Sequence, residues 1–461
     1  MLWRCGAAAA SRSRELHSTK TSPVPRDAAS RADSSRSARI LERLRALPWA
    51  TLVIVALLAL SAAFPLDPLR DVAGGGPVTE ATLHRPAAYL LLAPISNLLD
   101  TVTLLSVRQH VALIVTLVLG WIAWWWWTRR AVDAEVAAGR LAVRVVARIG
   151  IALVLLVGLY AAALVVPRPM AGIETVGQAI LVVDFHAHTR YSHDGRPGWT
   201  PEDVRDWHRD AGFDVAYISD HRTFEGAREG WANNPSPAGQ GTVLLPAIEV
   251  VWRGEHVNVL DADRMYRGIL DAPLRDVDDE ALRLASLVPG TEPVLIQTIP
   301  GDLAKVRAAS GPATPGVRAI EIVDGSPRGL TQGRLERARI LDIADSANIA
   351  LVAGSDNHGW GFAAPAWTLL ILPGWRAASP DQLSQGIAQI VRLGGRGATK
   401  VVERYVADTD DAVLVPFTVP VVAWGMFRTL SLDERVVWFA WLAALALLWR
   451  VRGMRRRPSA E

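Results

Sequence analysis

Cysteine is almost absent from this 461-residue chain, in which Cys5 is the single example. Disulfide frameworks and thiolate zinc sites both need several cysteines, so neither can hold the folded part together. Any metal site in that part must therefore use other ligands, such as histidine and carboxylate side chains.

Charged residues are absent from three long stretches, Leu47–Leu66, Val111–Thr128 and Ile149–Val166. A helix needs about 20 apolar residues to cross a bilayer core, and a buried helix of a soluble protein normally keeps a polar face. Each stretch is therefore predicted to span a membrane, within a transmembrane region of residues 47–166. Residues 1–46, rich in Ser, Arg and Ala, are predicted to be a disordered basic tail, with a targeting segment as the alternative.

Two other apolar segments leave several interpretations open. Residues 86–107 contain Asp100 among apolar residues, so they could span the membrane, lie at its interface or pack against the other helices. Residues 412–450 contain two prolines and a short apolar run, and are predicted to form one or two C-terminal membrane segments. A second basic tail, residues 451–461, follows.

Basic residues are concentrated outside the central part of the chain. Residues 1–46 carry ten Arg or Lys against four acids, whereas residues 167–410 carry 24 basic and 32 acidic residues. Nucleic-acid-binding domains carry a basic surface, so no nucleic-acid partner is expected. By the positive-inside rule, the basic flanks predict an integral protein of the inner or plasma membrane with an extracytoplasmic central domain. Counting residues 86–107 as a span reverses this topology, but places the five Arg of residues 129–148 outside.

Residues 176–408 are predicted to form a soluble domain in which short strands alternate with helices. Apolar runs predict strands such as Ala179–Asp184 and Val215–Ser219, and Thr200, followed by a proline and two acids, predicts a helix start. This alternation predicts an α/β fold with a parallel sheet, either closed or wound. The residues that carry the chemistry then follow the C-terminal ends of the strands.

Histidine is concentrated in the same domain, which contains seven of the ten histidines. Most follow a predicted strand directly, as in Asp184-Phe-His-Ala-His188, Ser219-Asp-His221 and Gly354-Ser-Asp-Asn-His358. Because side chains alternate along a strand, two histidines separated by one residue point to the same side. With Asp194 and Glu249 they predict a site for Zn, Mn or Fe ions that activate water for hydrolysis, most naturally of phosphate esters.

Five motifs occur in order along this domain: Asp184-Phe-His-Ala-His-Thr, Ser192-His-Asp-Gly, Ile218-Ser-Asp-His, Ala247-Ile-Glu-Val and Gly354-Ser-Asp-Asn-His. As a set they resemble the PHP (polymerase and histidinol phosphatase) superfamily of metallohydrolases, and the segment from Glu249 to His256 is similar to the carbaryl-type hydrolases. The resemblance covers about residues 180–400. It implies a distorted (β/α)7 barrel, here fused to N- and C-terminal transmembrane helices.

The resemblance also implies which residues bind metal. By motif, the ligands of a first ion would be His186, His188, Glu249 and Asp356. Those of a second ion would be Asp194, His221 and His358, with Glu249 as the bridge. His256 would belong to a third position, but Ile299 stands where the family has a histidine, so two ions are expected and the third site is weak or absent.

Several other residues are candidates for supporting roles. Asp194, His221 or His358 could relay a proton as catalytic groups. Arg190 and Arg222 follow ligand motifs and could bind a phosphate or carboxylate of the substrate, with plain surface charge as the alternative.

Neighbouring polar residues have weaker signals. Asp184 and Asp220 each precede a ligand motif and could orient an imidazole ring or simply be solvated. His193 could support or replace a ligand, His208 is expected to be a solvated helix residue, and Glu321 could line the barrel mouth or cap a helix.

The sequence thus predicts a membrane-anchored metal-dependent hydrolase, with phosphoester cleavage first and carbamate, ester or amide cleavage as the alternative. A metal-binding membrane sensor or scaffold without turnover is a second hypothesis, because Ile299 replaces a ligand. A transport channel is disfavoured, since the predicted spans lack the charges of a substrate pathway. The expected partners are the lipid bilayer and a small-molecule or envelope-derived substrate.

Overall fold

The computed structural model describes residues 49–129, 138–221, 223–260, 294–309 and 316–455. The chain divides into two units, Met1–Ile54 and Val55–Glu461, and the sheet, the candidate site and most of the helices lie in the second. The helices of the described residues are α1 (Trp49–Ala62), α2 (Ala87–Leu91), α3 (Ala93–Thr103), α4 (Val107–Arg129), α5 (Ala138–Leu164), α6 (Pro201–Ala211), α7 (Glu225–Ala232), α8 (Pro327–Leu335), α9 (Arg337–Ala347), α10 (Pro380–Leu393), α11 (Thr418–Arg428) and α12 (Leu432–Arg455).

The strands of the described residues are β1 (Leu69–Asp71), β2 (Ala81–His84), β3 (Gly172–Thr175), β4 (Ile180–Ala187), β5 (Val215–Ile218), β6 (Val243–Trp252), β7 (Glu255–Leu260), β8 (Val294–Gln297), β9 (Val317–Asp324), β10 (Ala350–Gly354), β11 (Ala366–Ile371) and β12 (Lys400–Arg404). Ten of them form one sheet in the order β1-β12-β11-β4-β5-β6-β7-β8-β9-β10, and β2 pairs with β3. The predicted strands therefore recur, within a few residues of their expected ends.

The large sheet curls so that its last strand returns to its middle. Asn357, just after β10, forms a parallel bridge with Ala187 at the end of β4. The His188 amide donates to the Asn357 carbonyl at 3.1 Å, and the Asp356 amide donates to the His186 carbonyl at 2.9 Å. The result is a mixed α/β fold with a half-barrel sheet, which brings the C-terminal ends of β4 and β10 together.

The prediction of a parallel sheet is correct for four neighbouring pairs, β4–β5, β5–β6, β8–β9 and β9–β10. It is wrong for β7, which runs antiparallel to both β6 and β8, and for the antiparallel strands β1, β11 and β12. The cause at β7 is local. Arg253 and Gly254 form a two-residue turn with φ of 53° and 80°, which joins antiparallel strands in a hairpin, whereas parallel strands need a long crossover.

Helix α6 begins where the sequence predicts. The Thr200 side chain accepts a hydrogen bond from the Asp203 amide, and the Asp203 carboxylate accepts one from the Thr200 amide at 2.8 Å. This reciprocal cap satisfies amide groups that have no partner within the helix. It fixes the helix that packs behind β4.

Helices α4 and α5 are long and apolar enough to cross a membrane, over Val107–Trp126 and Val145–Leu164. Only 11% of the first stretch and none of the second is buried, which is unlike the core helix of a soluble protein. They coincide with the second and third predicted spans. The first predicted span corresponds to the shorter helix α1, of 14 residues.

Residues 86–107, whose placement the sequence left open, form α2 and α3 and pack against neighbouring segments. Asp100 on α3 is 2% exposed. Its carboxylate pairs with Arg168 at 2.9 Å and Arg404 at 2.7 Å, and accepts a hydrogen bond from the Tyr89 hydroxyl at 2.9 Å. This buried ion-pair cluster joins α3 to β12 and to the segment after α5.

Asp214, in the loop before β5, is expected to make stability depend on pH. Burial raises the pKa of Asp214 to about 6, although the Val182 amide and Arg376 act in the opposite direction. An acid whose pKa is raised by folding destabilises the protein above the folded pKa and has no such effect below its unfolded pKa near 4. We expect Asp214→Asn to stabilise the full chain by about 2 kcal/mol at pH 8 and by much less at pH 4.5, as measured by thermal unfolding in detergent. An equal gain at both pH values would contradict this assignment.

Candidate metal centre

The end of β4 places two imidazoles beside each other. His186 and His188 are 3% and 0% exposed, and their Nε2 atoms lie 2.9 Å apart. Glu249, from β6, places Oε2 at 3.1 Å from His186 Nε2 and 3.3 Å from His188 Nε2. Asp356, after β10, places Oδ1 at 3.4 and 3.3 Å from the same two atoms. The four residues that the sequence assigned to a first ion therefore converge.

A second group lies beside the first. Asp194 Oδ2 is 3.1 Å from His358 Nε2 and 3.4 Å from His221 Nε2, and the latter is 3.5 Å from Glu249 Oε2. One ligand atom from each of His188, Asp194, His221 and His358 lies within 4.8 Å of the others. Glu249 thus lies between the two groups, as a bridging ligand would.

Local backbone structure positions these candidate ligands. The Ser192 hydroxyl donates to Asp194 Oδ1 at 2.7 Å. Asp356 adopts a left-handed conformation, with φ of 45°, which is unfavourable for residues with a Cβ although Asp tolerates it better than most. Strain of this kind is typical of functional sites, where the surrounding structure holds it in place.

His256 lies at the edge of the cluster. Its Nδ1 is 2.6 Å from Glu249 Oε1, and its side chain is 49% exposed. It groups with His221 and Glu249 as a third possible set of ligands. Ile299 is buried in an apolar cluster, so it adds no polar ligand to that set.

Glu321, at the middle of β9, holds the ring of His186 from behind. Its Oε1 accepts from His186 Nδ1 at 2.9 Å and its Oε2 accepts from the Ile299 amide at 3.2 Å, while the residue is fully buried. A proton held on Nδ1 leaves the Nε2 lone pair directed at the cluster. Neither role suggested by the sequence, at the mouth or as a helix cap, describes this contact. Asp324, which sequence reasoning missed, lies with Oδ2 at 3.7 Å from the same Nδ1.

The two aspartates that precede ligand motifs bind backbone groups instead of ligand rings. Asp184 Oδ1 accepts from the amides of His186 and Ser355 at 3.1 and 2.9 Å, which ties β4 to the loop after β10. Asp220 accepts from the Thr189 amide at 2.6 Å. Both aspartates are buried, so the alternative that they are simply solvated is wrong as well.

The expectation that His208 is solvated is wrong. His208 is fully buried, and its Nε2 lies 2.6 Å from Asp184 Oδ2. The reason is that α6 packs this face against β4, where Asp184 supplies a partner. The sequence signal was the amphipathic helix itself, on which His208 lies four residues after the buried Val204.

The remaining predicted residues lie nearer the surface. Arg190 pairs with Glu229 at 3.1 Å and stacks on Tyr191. His193 is 75% exposed, with its ring centroid 4.8 Å from that of His221. Arg222 lies outside the described residues. Substrate binding by the two arginines stays a prediction.

Two clefts of about 620 Å³ each open onto the cluster and share His221, Glu249 and His256. One extends past Tyr191, His193 and Thr223. The other extends past Pro300 and Arg328 to Val107, the first residue of α4. Arg328 is a cation at the cleft that the sequence gave no reason to single out.

Each ionisable group of the cluster shifts the pKa of its neighbours. Burial disfavours every charged form, but the pKa of Glu249 is held well below its usual value by His186, with hydrogen bonds from His188 and His256. Conversely, Asp356 and Glu249 raise the pKa of His188 to about 9 against the effect of burial. The carboxylates thus require nearby positive charge, which a divalent cation beside the imidazoles would supply.

The donor set fits divalent metal ions. Nitrogen ligands lie about 2.1 Å from such an ion, so two on the same ion can be about 3 Å apart, close to the separation of the His186 and His188 Nε2 atoms. Two unprotonated nitrogens this close repel each other unless a cation lies near both. His188 Nδ1 and His358 Nε2 are also buried without a hydrogen-bond partner among the described residues. Imidazole and carboxylate together suit Zn, Mn and Fe.

Glu321→Gln is expected to weaken metal binding by about 10- to 100-fold, as is typical when a partner of a ligand is changed. The glutamine amide would donate to His186 Nδ1 and move the ring proton to Nε2, where it blocks the ligand lone pair. A competition titration with a metal chelator measures the effect. Glu174→Gln, on a side chain 71% exposed, is the matched control and should leave the affinity unchanged. Equal affinities for both variants would show that Glu321 does not set the ring.

Comparisons with known proteins find similarity among solved structures. No family model and no curated protein matches the chain. PsfC from Pseudomonas syringae aligns over 54% of this chain and 98% of its own, with 18% identity and a TM-score of 0.33. A proposed metal-dependent phosphoesterase from Bifidobacterium adolescentis aligns over 38% and 87%, with 17% identity and a TM-score of 0.26.

A two-domain protein from Bacteroides vulgatus, containing a predicted PHP-like metal-dependent phosphoesterase, aligns over 48% of this chain and 64% of its own. Its identity is 13% and its TM-score is 0.29. Two of these three proteins are thus described as metal-dependent phosphoesterases, and one of them as PHP-like.

Proposed function

We propose that this chain is a membrane-anchored, metal-dependent hydrolase of the PHP superfamily that acts on phosphate esters. The observation that carries the proposal is the convergence of His and carboxylate groups from separate strand ends around the paired Nε2 atoms of His186 and His188. Ordinary folding does not require buried histidines and acids to be assembled in this way, because burying each group costs free energy.

The proposed ligands divide into two sets around Glu249. His186, His188 and Asp356 would hold one ion, and Asp194, His221 and His358 the other, with His256 beside a third position. Ions bound there would lower the pKa of a water molecule and stabilise the negative charge that develops on the phosphate oxygens.

Within the cluster, differences in exposed fraction distinguish the residues that would only hold a metal ion from those that could transfer a proton. His186 and His188 are buried and fixed, whereas Asp194 is 41% exposed and His358 is 17% exposed. We assign Asp194, His221 and His358 to the side that faces substrate. There a member of this set that does not ligate an ion can accept the proton of the attacking water and deliver it to the leaving oxygen.

One cation at the cleft supports a phosphate substrate. Arg328 lines the same cleft as His186 and Asp356, and a guanidinium can bind two phosphate oxygens at once. The resemblance to the carbaryl-type hydrolases keeps carbamate, ester or amide cleavage as the alternative. For these substrates a single carbonyl oxygen would take the place of the phosphate oxygens.

Membrane anchoring is proposed from α4 and α5. Their exposed apolar surfaces have no cover within the described residues, and a bilayer would bury them. By the positive-inside rule, the basic residues of 129–148 favour a cytoplasmic connection between these helices, and the half-barrel would then be extracytoplasmic. Reporter fusions at residue 170 and at the C-terminus test this topology.

The function is tested with the purified full chain in detergent, stripped with a chelator and reloaded with Mn, Zn or Fe. We expect turnover of p-nitrophenyl phosphate or bis(p-nitrophenyl) phosphate that is lost on chelation and restored by metal. Turnover of p-nitrophenyl acetate or a naphthyl carbamate alone would favour the alternative hydrolase. Bound metal without turnover of any of these would overturn the enzyme and favour a sensor or scaffold.

A further inference from the structure

The candidate metal centre lies against the beginning of the first membrane-length helix. Val107, the first residue of α4, lines the same cleft as His186, Asp194 and His358. Its amide donates to the Thr331 hydroxyl at 3.1 Å, on the helix α8 that also carries Arg328. One wall of the cleft is therefore formed by a residue at the end of a predicted membrane span.

The end of the second membrane-length helix is attached to the same site. The Gly361 amide donates to the carbonyl of Leu164, the last residue of α5, at 2.8 Å. Gly361 follows His358 by three residues, and its carbonyl accepts from Trp207 Nε1 at 3.1 Å. A Cβ at Gly361 would lie 2.6 Å from Thr103, which shows how closely the loop after the ligands approaches this junction.

The start of α4 is held firmly at this position. Ser106 hydrogen-bonds to the Asp410 carboxylate, and Arg108 donates to the Asp410 carbonyl at 2.6 Å. Arg334, on α8, donates to Gln109 Oε1 at 2.7 Å. The contact between the helix end and the cleft is thus built from several buried polar groups.

An exposed apolar stripe runs along α4 from the cleft. Its members are spaced by three or four residues, so they share one face of the helix. They are Val107, Val111, Val115, Val118 and Ile122, which are 40%, 55%, 48%, 48% and 44% exposed. The stripe continues for most of the length of the proposed span. Other faces of α4 also carry exposed apolar residues, such as Ile114, Leu117 and Leu119, so what distinguishes this face is that it begins in the cleft at Val107.

We propose that the substrate is a membrane-embedded lipid phosphoester, whose head group enters the metal centre while its acyl chain lies along this stripe. The inference rests on the proposed function and names its substrate class. Within the cleft, Arg328 and the candidate ligands suit the charged phosphate. Val107, Ile299 and Pro300 suit the apolar part of the lipid next to the phosphate. If α4 and α5 span the bilayer, both of these helix ends lie at its surface, where lipid head groups are found.

The test compares lipid and soluble forms of the same head group, using the full chain in phosphatidylcholine vesicles. Dioleoyl phosphatidate is paired with glycerol 3-phosphate, and dioleoyl phosphatidylglycerol with glycerophosphoglycerol. At equal phosphate concentration we expect the lipid of at least one pair to be hydrolysed more than tenfold faster. Similar rates within both pairs would overturn the inference and leave the proposed function intact.

A variant of the stripe gives the matched test. Val107→Asp should lower the ratio of lipid to soluble turnover more than tenfold, and Val107→Ser should lower it less. A carboxylate at the first position of a helix is favourable for folding, so the helix should be retained. Val176→Asp, at a side chain 74% exposed in the loop after β3, is the control and should not change the ratio. An unchanged ratio in both Val107 variants would contradict the inference.

Photocrosslinking provides a readout that needs no turnover. Metal-loaded full chain is mixed with a non-hydrolysable phosphonate analogue of phosphatidate that carries a diazirine on its acyl chain. We expect labelling of α4 between Val107 and Ile122 that the unlabelled analogue suppresses and phosphatidylcholine does not. Labelling that both lipids suppress equally would mean ordinary bilayer contact and would overturn the inference. Absence of turnover with every phosphoester, beside selective crosslinking, would instead overturn the proposed function and with it the substrate assignment, and would leave only lipid binding along α4.

Discussion

Replacing His186 with alanine is expected to lower turnover by more than about 100-fold and to release metal. Partners of metal ligands typically contribute 10- to 100-fold, and His186 is itself placed as a ligand. Its Nε2 faces His188, Glu249 and Asp356 within 3.4 Å, and no other described residue replaces that nitrogen. Turnover of the phosphoester and metal content are measured on the same preparation.

His193→Ala is the control for this variant, because His193 lies beside the cluster but is 75% exposed. It should keep its metal and most of its activity. Undiminished activity of His186→Ala would remove the basis for the site. Equal losses in both variants would mean that the outer histidine is a ligand as well.

Asp100→Ala is expected to destabilise the full chain by about 3 to 5 kcal/mol, which is the usual cost of leaving buried charges without their partner. Arg168 and Arg404 both pair with this carboxylate, and their side chains are 6% and 12% exposed. Neither guanidinium can lose its charge, so both would remain buried with one fewer partner. Denaturant unfolding in detergent, followed by tryptophan fluorescence, measures the loss.

Asp206→Ala provides the contrast for Asp100→Ala. Asp206 also pairs with an arginine, Arg209, but the two side chains are 61% and 58% exposed. An exposed pair contributes at most about 1 kcal/mol, since water and salt screen it. Similar losses in the two variants would show that the ion-pair cluster around Asp100 does not hold the helices to the sheet.

The positions of the candidate ligands could be predicted from the sequence because each of them lies at or just after the end of a strand. His186 and His188 are two residues apart at the end of one strand, so alternation alone puts them on one side. His221 and His358 follow the ends of β5, which pairs with β4, and of β10, after which Asn357 forms a bridge to β4. The structure brings these residues together as the motifs indicated, and the resemblance to the PHP superfamily implied the same set.

Residues that act through distant contacts could not be found in this way. Glu321 reaches His186 from a strand 135 positions away in the sequence, and His208 reaches Asp184 only because α6 packs on β4. Val107 meets the cleft through contacts with α8, more than 200 residues later in the chain. Such placements depend on packing, which has no local sequence signal.

The antiparallel direction of β7, by contrast, could have been predicted, because the sequence contains a signal for it. The Arg253-Gly254 pair between two apolar runs is the pattern of a tight hairpin, and it predicts antiparallel strands. The alternation of strands and helices elsewhere in the domain outweighed that signal. The hairpin matters for the site, since it places His256 opposite Val251, near Glu249.

The most direct test of the central claim is the number of metal ions bound by the full chain, measured by equilibrium dialysis against Mn²⁺ followed by elemental analysis. A metal centre built on His186, His188, Asp194, Glu249 and their neighbours predicts two tightly bound ions per chain, falling to one or none in His186→Ala. A full chain that binds no stoichiometric metal, or a variant that binds as many ions as the native chain, would contradict it.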